Sequence, residues 1–160
     1  MTRPVTNLLM KTPNQTTTIF CWILLLLLCC TRPVTAAQPL GRPVKPDPEA
    51  VAAGNGWFGV FDAGHYQEAR RMMAKRIQKG GAVHEQQFIA WARARRSPLG
   101  AVLNRQLMWA RFTNSLPGAP DGNYEFLRYK TSFQHKASAE EELTLTKESG
   151  HWEVSGYHFK

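Results

Sequence analysis

Beyond Cys30 the chain has no cysteine. Its three cysteines are Cys21, Cys29 and Cys30, so a domain built from the remainder has no disulfide staple, thiolate nucleophile or thiolate zinc ligand. No apolar run is long enough to span a bilayer. The longest, Ile19 to Cys30 (IFCWILLLLLCC), falls short of the about 20 residues a spanning helix requires. The histidines (His65, His84, His135, His151 and His158) show no metal-ligand spacing. The serines lack a glycine-flanked elbow, and the glycines form no phosphate-binding loop. Nothing here calls for a metal or a cofactor.

What is present begins with an address. Arg3 and Lys11 precede the apolar run, and Val34-Thr35-Ala36-Ala37-Gln38 follows it. A basic start, a short apolar core and small residues spaced for cleavage describe a secretory signal peptide over residues 1–37. An uncut signal anchor is the alternative, and Met10 competes with Met1 as the start. Leu28 and Cys29 stand where a lipoprotein would place a small residue, which argues against lipidation of Cys29 or Cys30. Cleavage near Ala36–Gln38 predicts a periplasmic or secreted domain that meets the membrane only through its signal segment. Formal charge falls from +8 to +5 as Arg3, Lys11 and Arg32 depart. That balance permits attraction to anionic surfaces, but it is modest for a nucleic-acid binder, and export argues further against one.

Residues 38–49 (QPLGRPVKPDPE) hold four prolines without apolar periodicity, which predicts an extended, solvated tether. A single domain is expected over 50–160. Its first helix runs from Val51 to Ala63, with Val51, Phe58 and Phe61 on one face and Trp57 and Val60 beside them; Gly64 ends it. Tyr66 to Lys79 reads as a second helix carrying a basic row of Arg71, Lys75 and Lys79, a pattern typical of a solvated face. Val83 to Arg96 reads as a third, whose apolar stripe of Phe88, Trp91 and Ala92 continues onto Arg95. Ser97-Pro98 stops it.

From Ala101 the period changes to two. Leu103, Arg105, Leu107 and Trp109 share a face of the first strand, and Leu116 to Gly122 makes a rigid connection. A second strand spans Tyr124 to Phe133. A third, Ala139 to Lys147, aligns Ala139, Glu141, Leu143 and Leu145. In the fourth, His151 to Lys160, parity switches at Ser155-Gly156, which predicts a bulge. Three helices followed by a four-stranded antiparallel meander form an α+β pattern, with the helices packed on one face of the sheet.

Three charges then stand out on apolar faces: Arg95, Arg105 and Glu141. Lone buried charges are costly and normally pair. Strands one and three flank strand two, so Arg105 and Glu141 lie about 10 Å apart at the backbone, a gap that long side chains close. Glu141 is therefore expected to meet Arg105, Arg95 or both beneath the helices, either as a structural ion pair or as the polar lining of a pocket. Asp62 is a further candidate, because a carboxylate at a helix C-terminus faces the wrong end of the dipole. Tyr66 and Tyr157 are placed to supply hydroxyls, and Trp91 to form a pocket wall.

Trp57, the run Asp62-Ala63-Gly64-His65-Tyr66, Trp91 to Arg95, Ser97 to Gly100, Arg105, Leu116 to Tyr124, Phe133, Glu141 and Trp152 to Tyr157 together resemble a bacterial family known as domain of unknown function 4019. The resemblance covers about Val51 to Lys160 and departs from the family at Ala69-Arg70, where a Ser-Trp pair is frequent. It implies a small exported domain with a nuclear-transport-factor-2-like or cystatin-like shape, and it implies no reaction. The leading expectation is therefore a non-catalytic domain that binds a small ligand or an envelope protein, with a homodimer left open. The alternative is a small pocketed enzyme, isomerase- or hydrolase-like, with Asp62 or Glu141 as general base.

Overall fold

The computed structural model describes residues 41–79, 81–148 and 150–160, with the backbone alone at Ala82 and Val83. The expected signal peptide lies outside the described residues. No helix among those described is long and apolar enough to cross a membrane.

The elements in chain order are β1 (Arg42–Val44), α1 (Pro48–Asp62), α2 (Tyr66–Arg71), α3 (Lys75–Gln78), α4 (Gly81–Arg96), a 3-10 turn (Ser97–Leu99), β2 (Val102–Thr113), β3 (Tyr124–Phe133), β4 (Lys136–Glu148) and β5 (His151–Phe159). The five strands form one antiparallel sheet in the order β1-β2-β3-β4-β5. The α+β class is as the sequence predicts, but the counts differ, with five strands for four and four helical segments for three.

Both differences come from contacts with strands distant in the chain. The extra strand comes from the proline-rich stretch read as tether, where Val44 pairs with Ala110 and Arg42 with Phe112 on the sheet edge. Proline at such an edge omits a donor that no neighbour needs. The second expected helix breaks at Met73-Ala74 because these residues join the opposite edge. The Ala74 N–H donates to the Val154 carbonyl at 2.8 Å, and both residues are buried. An apolar repeat at helical spacing does not register that a strand edge captures its middle.

Helix α1 is held at its start by Asp47. One carboxylate oxygen accepts from the Glu49 N–H at 2.9 Å and the other from Trp152 Nε1 at 3.0 Å. Its own N–H donates to Glu125 Oε1 at 3.0 Å. This N-cap thus ties the helix to β3 and β5 as well as satisfying an orphan donor. Burial works to raise the Asp47 pKa, but the Glu49 and Trp152 N–H groups hold it below its ordinary value. Glu125, itself buried, shifts upward because burial outweighs the Asp47 N–H.

Gly54 faces the sheet, where a Cβ would come within 3.0 Å of Leu143 Cδ1, so the missing side chain lets the helix lie close. Trp57, Phe58 and Phe61 then bury against Leu127, Tyr129, Leu143 and Leu145, each contributing about 1.5–3 kcal/mol on full burial. The Trp57 ring stacks on Phe61 at 4.5 Å, and its Nε1 donates to the Ala69 carbonyl at 2.9 Å, pinning α2 to α1. On β5, Thr144 pairs with Gly156 and Leu145 with Val154. Ser155 is therefore bulged, where the change of parity predicts it.

Candidate functional site

The alternation of β2 turns Arg105 toward the helices, and that of β4 does the same for Glu141. Their register partners on the intervening strand are Thr131 and Tyr129, so the two charges converge over β3. Arg105 Nε donates to Glu141 Oε2 at 2.7 Å, and Nη2 donates to Oε1 at 3.2 Å. The same guanidinium reaches the end of α1, donating from Nη1 to Asp62 Oδ2 at 2.7 Å and from Nη2 to Oδ1 at 3.3 Å. Its carbon lies 3.7 Å above the Phe58 ring centre, a desolvated cation–π contact.

Two further groups complete the network. Arg96 Nε donates to Asp62 Oδ1 at 2.9 Å, while its Nη1 donates to the Gly100 carbonyl at 2.6 Å. Gly100 has φ 74, and a Cβ there would come within 2.7 Å of Gln134, so only glycine presents that carbonyl without strain. Glu141 also accepts from the hydroxyls of Thr131 and Tyr157, the latter at 2.7 Å. Two guanidiniums and two carboxylates make the cluster neutral. Glu141 is 0% exposed, and the side chains of Arg105 and Asp62 are 13% and 20% exposed.

Electrostatics follow from this packing. Burial alone would lower the Arg105 pKa, but its hydrogen bonds to the Asp62 and Glu141 carboxylates outweigh it and shift it upward. Burial, reinforced by the Glu141 charge, pushes the Tyr157 hydroxyl far above its usual value. Burial likewise pushes Tyr129 up to about 12, and its buried hydroxyl has no partner among the described residues.

Of the residues singled out from the sequence, the fold brings together Asp62, Arg105, Glu141 and Tyr157. Tyr66 stands apart, its hydroxyl 3.1 Å from Ser97 Oγ and its ring against Phe61. Trp91 flanks the cluster through an edge contact with Tyr157. Arg95 is a correction. It is exposed and lines a cavity of about 140 Å³ with Trp91, His158 and Phe159; the buried arginine of α4 is its neighbour Arg96. Phe88, Ile89 and Trp91 are all half-buried against the core. The fully buried line of α4 among the described residues is Ala92, at 0% exposure, and Arg96 one turn on. Spacing from Ala92 rather than from the aromatics identifies Arg96. Thr131 had no signal beyond its parity with Tyr129.

The cluster can hold α1 and α4 to the sheet, but it has little room for chemistry. A carboxylate offers about four lone-pair directions, and Glu141 accepts from four donors. Asp62 accepts from three. The larger cavities lie elsewhere. A groove of about 470 Å³ is lined by Tyr66, Arg71, Ile89 and Arg93 among others, and another of about 400 Å³ lies beside Trp109 and Arg128 on the far face of the sheet. Neither is lined by Asp62, Arg105 or Glu141. Among the described residues no group of three or more His, Cys, Asp or Glu side chains is arranged to hold a metal.

No curated protein matches the chain. Among solved structures, a Campylobacter jejuni protein described provisionally as an NTF2-like transpeptidase aligns with 69% of this chain and 99% of its own, at 14% identity and a TM-score of 0.45. A likeness at that level carries no argument about mechanism. A family model described as "Protein of unknown function (DUF4019)" matches residues 53–157. That span takes in most of α1, the interlocked charges, β2 to β4 and most of β5. The chain belongs to the DUF4019 family.

Proposed function

We propose that this chain is an exported, non-catalytic binding domain that holds a small ligand or a protein of the cell envelope. The saturation of Glu141 carries this reading. A general base needs a free lone pair within reach of a substrate proton, and Arg105, Thr131 and Tyr157 occupy those of Glu141. Asp62 is clamped between Arg96 and Arg105. Against the alternative of a pocketed enzyme, this geometry leaves Glu141 no free lone pair and sets Asp62 against two guanidiniums, away from the larger grooves. Recognition then falls to the surface grooves, among them the one between α2 and α4, which at about 470 Å³ is of a size that suits small ligands.

Export rests on the leader alone, with its basic start, short apolar core and small residues before Gln38. The test is purification of the protein from its native envelope, followed by N-terminal sequencing and native mass spectrometry. The expected result is a first residue near Gln38 and a mass excess from a retained small molecule, a partner or a second copy. A cytoplasmic chain that keeps residues 1–37 and carries no added mass contradicts the proposal.

A further inference from the structure

Charge is unevenly distributed along this chain. Between Ala63 and Ala101 eight Lys and Arg stand against two Glu, whereas from Val102 to Lys160 seven basic and seven acidic residues cancel. Several sheet cations are paired, as Arg105, Arg128 and Lys147 each meet a carboxylate. In the helical layer Arg76 and Arg96 do the same, but Arg70 and Arg71 make no ion pair among the described residues.

Arg70 is the informative one, because it is buried, at 6% exposure. Its guanidinium lies 5.9 Å from the Phe88 ring centre, and Nη2 donates to the Ile77 carbonyl. Nη1 is buried with no hydrogen-bond partner among the described residues. A buried cation without a counter-charge and a buried N–H without an acceptor are each costly. Beside it is a cavity of about 190 Å³ lined by Arg70, Arg71, Gln78, Gly81 and Glu85. Glu85 does not bond to Arg70; its Oε1 accepts from Gln67 Nε2 at 2.8 Å. Arg71 also lines the groove of about 470 Å³, so the small cavity and the larger groove share a wall.

We propose that this cavity is an oxyanion site that takes the phosphate group of a ligand, with Arg70 and Arg71 as donors and the rest of the ligand in the groove beyond Arg71. The inference rests on the reading above that recognition lies outside the Glu141 cluster. Two guanidiniums match the charge and the several acceptors of a phosphate better than those of a single carboxylate.

The test is a titration of the purified protein with inorganic phosphate at constant ionic strength, read by amide chemical shifts. Arg71 is exposed, so Arg71→Gln leaves the core intact. It should weaken saturable binding about tenfold or more. Lys75→Gln removes the same charge away from the cavity and should change affinity by less than about twofold. Glu85→Gln removes the carboxylate from the cavity wall and should tighten binding. Co-sedimentation with phosphatidylcholine vesicles, with and without phosphatidylglycerol, distinguishes the sources. Binding only to the anionic vesicles, lost in Arg71→Gln, assigns the phosphate to a lipid headgroup; saturable binding of the free anion assigns it to a soluble ligand. No binding to either probe, or equal loss in Arg71→Gln and Lys75→Gln, overturns the site. A retained ligand that survives Arg71→Gln in native mass spectrometry also overturns it while leaving the binding-domain reading in place.

Discussion

Arg105 and Glu141 sit on strands that are not neighbours, yet they share two hydrogen bonds of 2.7 and 3.2 Å across β3. The bridging strand contributes the Thr131 hydroxyl to the same carboxylate. The pair therefore joins three strands, and through Asp62 it joins α1 to the sheet.

Removing Glu141 leaves a buried guanidinium short of its counter-charge. Glu141→Ala should lose about 3–5 kcal/mol of unfolding free energy, measured by urea denaturation. Glu141→Gln, which keeps the side-chain volume and one acceptor oxygen but not the charge, should lose less.

Arg96 and Arg95 separate burial from charge. Each substitution to Ala removes one positive charge from the end of α4. Arg96→Ala should cost about 3–5 kcal/mol by leaving two buried carboxylates to share Arg105 alone, whereas Arg95→Ala should stay within about 0.5 kcal/mol. Equal melting temperatures for the two variants would show that Arg96 does not hold Asp62.

Tyr129 and Tyr157 predict a particular alkaline limb. Their folded-state pKa values lie above the unfolded value of about 10, through burial in both cases. The folded protein therefore keeps protons that the unfolded chain releases. Their contribution is fully present below about pH 10 and is lost as pH rises through the folded values, about 12 for Tyr129. Absorbance at the phenolate band should show both rings titrating late, together with unfolding, and Tyr157→Phe should make the stability decline shallower.

Asp47 predicts the opposite limb. Its pKa is depressed on folding, so its contribution is present above the unfolded value of about 3.9 and fades as pH falls through the lower folded value. Asp47→Ala should cost about 1 kcal/mol at neutral pH as a lost N-cap, and less at the acid end. Denaturation curves at pH 7 and pH 3 check the difference.

Much of the frame was legible in the sequence because strand parity holds through most of β3 and β4. In β2 it does not: register shifts between Val102 and Asn104 and between Leu107 and Trp109 leave Leu103 exposed and put Trp109 on the face opposite Arg105. Arg105, Leu127, Tyr129, Glu141 and Leu143 could be assigned to one face from a period of two, and the Ser155 bulge from the break in that period. Helix phase is less forgiving, since the large rings of Phe88 and Trp91 outweigh small Ala92 on a hydrophobicity count. Ala92 nevertheless marks the line of closest packing, and the error moved the buried arginine by one residue. The strand Arg42–Val44 was illegible because three residues show no period. The break at Met73-Ala74 depends on contact with β5, which local sequence does not encode. The role of Asp47 was hidden for the same reason, as two of its partners, Glu125 and Trp152, are distant in the chain.

The helices close over the sheet on a buried Arg105–Glu141 contact. A double-mutant cycle on these two residues by urea denaturation reads that contact. A coupling energy above about 1 kcal/mol is expected. Losses that add to within about 0.3 kcal/mol would mean that the two side chains do not meet, and would contradict it.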